Sequence, residues 1–196
     1  GSGTVTSLKW SELKNIDAGS WFSPRFKGER IPKLEQVFAL LKKHAAADVL
    51  IAVDLKGVEI ESAVVKMAEQ YEVLDRLLMI GNAISDRAVR KRLRAASEKT
   101  HVACVANNRA ELTNAIHDPD SDWVYVRFVP NRKDVARIHQ RNKQVFIAGP
   151  TVAGEQSENW RRAAAVGVAG ILTDYPLTLV DQLEESSDFD GKEITQ

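Results

Sequence analysis

The sequence is poor in the residues from which several kinds of functional site are built. It has a single cysteine, Cys104, which excludes an internal disulfide and a zinc site made of several cysteines. Its four histidines include no pair at the spacing of metal ligands or of a catalytic triad; they are His44, His101, His117 and His139. Cys104 lies in the middle of an apolar stretch, which predicts a small buried apolar residue.

Two further absences narrow the class of protein. Lysine and arginine together number 27, as do aspartate and glutamate, so the formal net charge is zero. A neutral chain lacks the broad basic surface with which proteins bind nucleic acid, and no nucleic-acid partner is expected. No apolar run approaches the roughly 18 residues of a transmembrane helix. The compartment stays open between cytoplasmic, periplasmic and secreted.

What the chain does have is the composition of a folded globular protein. Its 196 residues are 44% hydrophobic and 28% charged, enough for one substantial domain or a large part of a bigger one. From residue 33 onward, helical spacing of apolar residues alternates with short apolar runs, which predicts alternating helices and strands. The predicted strands are 49–56, 77–83, 101–107, 123–128, 144–150 and 169–176. Such alternation is typical of parallel sheets covered by helices.

Two architectures fit this alternation, an open doubly wound sheet and a closed (β/α)₈ TIM barrel. Leu50, Ala52, Asp54 and Lys56 share one face of the first strand, because alternate residues of a strand point the same way. Packing residues low on a strand and charged ones at its carboxyl end suit a barrel interior. The chain also lacks the glycine-rich loops of nucleotide-binding open sheets. We therefore favour the barrel.

Six strands are too few for a closed barrel, which has eight. Residues 1–32 contain one possible strand, "GTVTSL", and do not read as two further strand–helix units. The sequence therefore predicts that about six of eight units are present, with a segment missing before residue 1.

Three stretches resemble the glycerophosphodiester phosphodiesterase family. The first, "SLKWSELKNIDAGSWFSPRFKGERIPKLEQVFALL" (7–41), looks like the linker of the family. "IAVDLK" (51–56) stands where the family has an Ile-Glu-Ile-Lys strand, and "GILTDYP" (170–176) matches the family's last strand. The resemblance covers residues 1 to about 180.

This resemblance implies a hydrolase of lipid and glycerol metabolism with the TIM-barrel fold. Such an enzyme cleaves glycerophosphodiesters to an alcohol and glycerol phosphate, using two histidines, a lysine on the phosphate and a divalent cation on three carboxylates. Asp54 matches the third carboxylate and would bind Mg²⁺ or Ca²⁺. Lys56 matches the lysine and would stabilise the charge that develops on the phosphate. Aspartate replaces the family's usual glutamate at position 54, which shortens this ligand by one methylene.

The chain also departs from the family. The His-Arg-Gly, Glu-x-Asp and His-Asp motifs, which precede the linker in the family, have no counterpart here. The catalytic residues are therefore unknown, since both family histidines and two of the three carboxylates are missing. We expect an N-terminal segment, in cis or as a second chain, to complete the site, and the isolated chain to be inactive.

Several other residues have more than one interpretation. Arg127 lies late in the predicted fourth strand and either contacts phosphate or forms a structural salt bridge. Asn82 and Asn107 either line the mouth of the barrel or cap helices. The aromatic residues Trp21, Phe22 and Phe26 form a lid, a wall for the substrate, or a cover for the barrel.

The sequence thus divides into a linker and active-site loop region (1–32), barrel units (33–184) and an acidic tail expected to be frayed (185–196). Two other functions remain open: a degenerate, non-catalytic barrel that binds a phosphorylated ligand or a protein partner, and an unrelated TIM-barrel enzyme acting on a phosphorylated metabolite.

Overall fold

A computed structural model describes residues 4–44, 49–57 and 59–190, with side chains up to residue 184. Two compact units make up the chain. One comprises residues 1–49 and 67–73, and the other comprises residues 50–66 and 74–196. In the described ranges, no helix is both long and apolar enough to cross a bilayer.

Short helices and strands alternate along the chain. The α-helices are α1 (Trp10–Leu13), α2 (Leu34–His44), α3 (Glu61–Gln70), α4 (Asn82–Ser85), α5 (Arg87–Ala96), α6 (Arg109–His117), α7 (Arg132–His139), α8 (Ser157–Ala165) and α9 (Pro176–Asp190). The strands are β1 (Ile51–Leu55), β2 (Leu77–Gly81), β3 (His101–Ala106), β4 (Trp123–Val126), β5 (Gln144–Ile147) and β6 (Gly170–Ile171). Single 3₁₀ turns occur at Val5–Ser7, Pro24–Phe26 and Leu74–Arg76.

The second unit is built on one parallel sheet. Its six strands lie in chain order from β1 to β6, and every neighbouring pair is parallel. The sheet curls, because Ala52 of β1 and Gly170 of β6, on the two outermost strands, line the same small cavity. This order confirms the predicted strand–helix–strand repeat.

Branched aliphatic residues cover the outer face of the sheet and pack against the helices. Val124 and Val126 of β4 and Ile147 of β5 are fully buried there, together with Leu112 of α6 and Trp160 of α8. Cys104 belongs to the same cluster and is 8% exposed, which confirms the prediction that it is a small buried residue.

Aromatic residues fill the inner face of the curl. Tyr125 and Phe146, paired across β4 and β5, meet edge to face with ring centroids 4.7 Å apart. Trp123 lies on the same face, two residues before Tyr125. Below them a cavity of about 210 Å³ is lined by Leu50 and Ala52 of the β1 segment, among others. This arrangement confirms that the even-numbered residues of the first strand face the interior.

A buried polar network connects α5 with the segments that precede β4 and β5. Arg90 of α5 pairs with Asp118 at 2.8 Å, and both side chains are less than a tenth exposed. Arg90 also donates to the carbonyl of Ala83 at 2.7 Å. Lys143 donates to the carbonyl of Ala115 and to the hydroxyl of Ser121. Burial lowers the pKa of the Lys143 ammonium.

The first unit has its own small core. Phe38 of α2 is fully buried, and its ring centroid lies 6.3 Å from that of Tyr71. On the outside of the same helix, Lys42 pairs with Glu72 at 2.7 Å.

Several element boundaries differ from the predictions. All six strands are shorter than predicted; β2 ends at Gly81, whose φ of +74° takes the chain out of the strand and into α4. The candidate strand "GTVTSL" is instead a 3₁₀ turn over Val5–Ser7, and residues 1–3 lie outside the described residues. The acidic segment expected to be frayed from residue 185 is helical as far as Asp190, at the end of α9, and the tail beyond it lies outside the described residues.

Candidate active site

A polar cavity of about 470 Å³ opens at the carboxyl ends of the strands in the second unit. It lies at the end of the sheet where parallel-barrel enzymes place their catalytic residues. The described residues that line it are Asp54, Lys56, Ile80, Gly81, Asn82, Ile84, Ser85, Val105, Asn107, Tyr125, Arg127 and Leu172.

Asp54 and Lys56 face this cavity as a pair. The ammonium of Lys56 lies 2.9 Å from Oδ2 of Asp54, and the two side chains are 76% and 49% exposed. The alternation of β1 places both on the inner face, and Leu55 between them is buried on the other side. Because both side chains are exposed, both charged groups are accessible to a ligand. A charge pair this exposed contributes little to stability.

Two residues at the end of β2 support the pair. Gly81 lies opposite Leu55 in the sheet, and a β-carbon at position 81 would collide with Oδ1 of Asp54. The side-chain amide of Asn82 donates to the carbonyl of Lys56 at 3.3 Å. Asn82 therefore lines the cavity and also ties the end of β1 to α4.

Arg127 enters the cavity from the end of β4. Its guanidinium carbon lies 5.6 Å from the ring centroid of Tyr125, which is itself 8% exposed. Among the residues whose side chains are described, no carboxylate forms an ion pair with Arg127. The structural salt bridge that the sequence left open is thus not formed by these residues.

Asn107 and Asn108, which follow β3, have different roles. Asn107 lines the cavity, and its backbone and side-chain N–H groups both donate to Oε2 of Glu111. These bonds lower the pKa of Glu111. Asn108 is the helix cap, accepting hydrogen bonds from the backbone N–H groups of Ala110 and Glu111.

The donor set of the cavity is incomplete for a divalent cation. Asp54 is the one carboxylate among the described lining residues, and its Oδ2 already accepts from Lys56. The part of the chain that the structure describes holds no group of three or more acidic, histidine or cysteine residues suited to a metal. Since Mg²⁺ and Ca²⁺ take six or more oxygen ligands, these residues do not make a metal site by themselves.

The histidines lie elsewhere. His101 begins β3, at the end of the sheet opposite the cavity, where its Nδ1 bonds with the carboxylate of Asp122. His117 ends α6 and bonds with the carbonyl of Thr113. Neither they nor His44 and His139 line the cavity.

Sequence reasoning missed Gly81 and Tyr125 as site residues. Tyr125 was detectable, because alternation along "WVYVRF" places it on the same face as Arg127. The role of Gly81 depends on its contact with the neighbouring strand, which no local pattern reveals.

Comparison with known proteins decides the family. The sequence model of the Glycerophosphoryl diester phosphodiesterase family matches residues 1–178. The chain belongs to this family. A glycerophosphodiester phosphodiesterase of Caldanaerobacter subterraneus is 27% identical over 187 residues, covering 92% of this chain and 73% of that protein. Bacillus subtilis YhdW, whose name assigns it to the same enzymes, is 34% identical over 191 residues, covering 90% of this chain and 72% of YhdW.

A solved structure confirms the fold of this phosphodiesterase family member. The glycerophosphodiester phosphodiesterase of Agrobacterium tumefaciens strain C58 superposes with a TM-score of 0.73 at 16% identity, covering 89% of this chain and 71% of that one. The predicted TIM-barrel architecture of the phosphodiesterase type is therefore correct. Membership of an enzyme family with this fold also excludes the alternative that the chain is an unrelated TIM-barrel enzyme.

Proposed function

We propose that the whole protein hydrolyses glycerophosphodiesters to an alcohol and glycerol phosphate. Family membership supports the reaction class, and the names of both relatives point to the same substrates. The observation that carries the proposal is the meeting of Asp54, Lys56 and Arg127 in one cavity at the carboxyl end of the sheet. Two cations and one carboxylate give this cavity the charge that suits a phosphodiester anion.

Each basic residue has a role in this proposal. Lys56 approaches the phosphate from β1 with an exposed ammonium, which stabilises negative charge as it grows in the transition state. Arg127 offers a planar guanidinium whose donors match two phosphate oxygens at once. Tyr125 lies beneath the guanidinium and holds it at the cavity wall.

Asp54 is proposed as one ligand of a divalent cation, Mg²⁺ or Ca²⁺, in the whole protein. When bound, such a cation polarises the phosphoryl oxygens. Asp54 alone cannot hold it tightly, so we propose that further carboxylates and the two catalytic histidines come from residues outside this sequence, in cis or on a second chain. It follows that the 196 residues alone have no meaningful turnover.

The test measures release of glycerol phosphate from glycerophosphocholine by the chain alone and by the chain extended or supplemented with an N-terminal segment. We expect activity only in the second case, abolished by a chelator. Lys56→Met should then reduce kcat/KM by about 10²- to 10³-fold. Lys133→Met, at an exposed position of α7, is the matched control and should leave kcat/KM unchanged.

Three results would count against the proposal. Metal-dependent turnover by the chain alone would refute the claim of inactivity. Unchanged activity in the Lys56→Met variant of the active protein would remove the phosphate role of this residue. Weak metal binding and no turnover in the extended protein would favour a degenerate barrel that binds a phosphorylated ligand.

A further inference from the structure

The first unit exposes a cluster of aromatic side chains that its core does not use. The aromatic loop, residues 17–30, presents Trp21 and Phe22, which are 82% and 71% exposed, and Phe26, which is 37% exposed. The Phe22 ring centroid lies 5.8 Å from that of Trp21 and 5.7 Å from that of Phe26, so the three rings form one contiguous patch. Contiguous apolar patches that remain exposed mark surfaces that bind a partner or a membrane.

The loop holds this patch in place. Asp17 accepts hydrogen bonds from the backbone N–H groups of Gly19, Ser20 and Gly28 at 2.8–3.0 Å. These bonds keep the pKa of the Asp17 carboxyl well below its usual range. An isolated antiparallel β-bridge between the backbones of Asp17 and Arg30 closes the base of the loop. Little conformational entropy is therefore lost when the loop binds.

The polar group of Trp21 is already satisfied within the loop. Its indole N–H donates to the carbonyl of Ala18 at 2.8 Å. The ring can therefore enter a less polar environment without leaving a donor unpaired.

The surroundings of the patch are basic. Residues 4–44 contain eight lysines and arginines against four acidic residues, although the whole chain is neutral. Arg25 lies over the ring of Phe26 at 5.8 Å, and Lys33 lies over the ring of Trp10 at 5.2 Å. Lys27 follows directly in the loop. Basic residues are attracted to the surface of an anionic membrane.

We propose that the aromatic loop docks on the surface of an anionic phospholipid bilayer. Trp21 and Phe22 enter the interfacial region, and Arg25 and Lys27 contact the headgroups. A bilayer fits better than a second copy of the chain, because pairing two such loops would bring like charges together. The proposal does not depend on the function assigned to the polar cavity.

Binding of the chain to lipid vesicles tests this directly. Vesicles of phosphatidylcholine alone are compared with vesicles in which part of it is replaced by phosphatidylglycerol, by co-sedimentation and by tryptophan fluorescence. Trp123 and Trp160 are 9% and 0% exposed, so a blue shift on binding reports Trp10 and Trp21. We expect binding to be at least about tenfold stronger with phosphatidylglycerol and to weaken as salt is added.

Variants separate the apolar contribution of the aromatic rings to vesicle binding from the electrostatic contribution of the basic side chains. The double variant Trp21→Ala, Phe22→Ala should lose about tenfold or more in partition coefficient. The double variant Arg25→Gln, Lys27→Gln should lose the preference for phosphatidylglycerol. Leu177→Ala on α9, where the leucine is 80% exposed, is the control for loss of an exposed apolar side chain and should bind like the parent chain.

The proposal fails if the parent chain does not bind phosphatidylglycerol vesicles, or binds both vesicle types equally. It also fails if the aromatic double variant binds like the parent while its thermal unfolding is unchanged. Self-association in the absence of lipid, lost in that variant, would assign the patch to contact between copies instead.

Discussion

The backbone of Gly81 lies directly against the side chain of Asp54. A β-carbon at position 81 would collide with Oδ1 of Asp54 and would lie 2.5 Å from the backbone N and O of Leu55. The φ of Gly81, +74°, is in addition one that other residues rarely adopt. Because Gly81 of β2 has no side chain, the carboxylate of Asp54 on β1 has room to lie against it.

Substitution of Gly81 is expected to damage both the fold and the cavity. Gly81→Ala should lower the free energy of unfolding by about 2–4 kcal/mol, because strain at positive φ adds to the collision with Asp54 and Leu55. Urea unfolding measures this loss. Gly28→Ala is the matched control, since Gly28 has a φ of +91° and open space at its β-carbon position. It should lose only about 1 kcal/mol, and equal losses in the two variants would contradict the close contact.

The buried pair of Arg90 and Asp118 should be much more sensitive than pairs at the surface. Asp118→Asn leaves the Arg90 guanidinium buried without its charge partner, and we expect a loss of about 3–5 kcal/mol in unfolding free energy. Glu72→Gln breaks the exposed pair with Lys42 and should cost about 1 kcal/mol or less. Similar losses at both sites would show that the Arg90 pair is hydrated in solution.

The contact between His101 and Asp122 predicts a pH dependence of stability. The hydrogen bond with the Asp122 carboxylate raises the pKa of His101 above its usual value of about 6.5. Arg94, which also pairs with Asp122, and the more distant Asp75 are the other charges facing the ring. A raised pKa means that protonated His101 stabilises the fold below about pH 6.5, and that this stabilisation is lost as pH rises through the folded value.

The measurement is the free energy of unfolding from about pH 5.5 to pH 8.5 for the parent chain and for His101→Gln. The difference between the two should shrink as pH rises. His117→Gln serves as the histidine control. A His101→Gln variant whose pH profile parallels that of the parent would contradict the prediction.

Replacing the indole with a phenyl ring should destabilise the fold more at the buried Trp160 than at the exposed Trp21. Trp160 is fully buried and donates to the carbonyl of Val152 at 2.8 Å. Trp160→Phe leaves that carbonyl unpaired and a space beside it, so we expect a loss of about 1–3 kcal/mol in thermal or urea unfolding. Trp21→Phe, at an exposed position, should change stability by about 0.5 kcal/mol or less. The reverse order would mean that the aromatic loop is part of the folding core.

The sequence predicted the alternation of helices and strands and the parallel sheet well, because apolar periodicity is a local property that survives folding. It also predicted which face of β1 carries Asp54 and Lys56, since alternation along a strand fixes the face of every second residue. Strand lengths were overestimated. Where a strand ends depends on its partner and on the helix that follows, as at Gly81 and Asn82, and local composition does not encode either.

The sequence by itself determined the class of fold and the residues of the first strand that point to the interior, because both follow from the spacing of residues along single segments. Only the tertiary structure decided that Gly81 leaves room for the carboxylate of Asp54 and that Asp54, Lys56 and Arg127 line one cavity. These relationships join residues far apart in the chain, and they exist only because the curl of the sheet brings the carboxyl ends of several strands around that cavity.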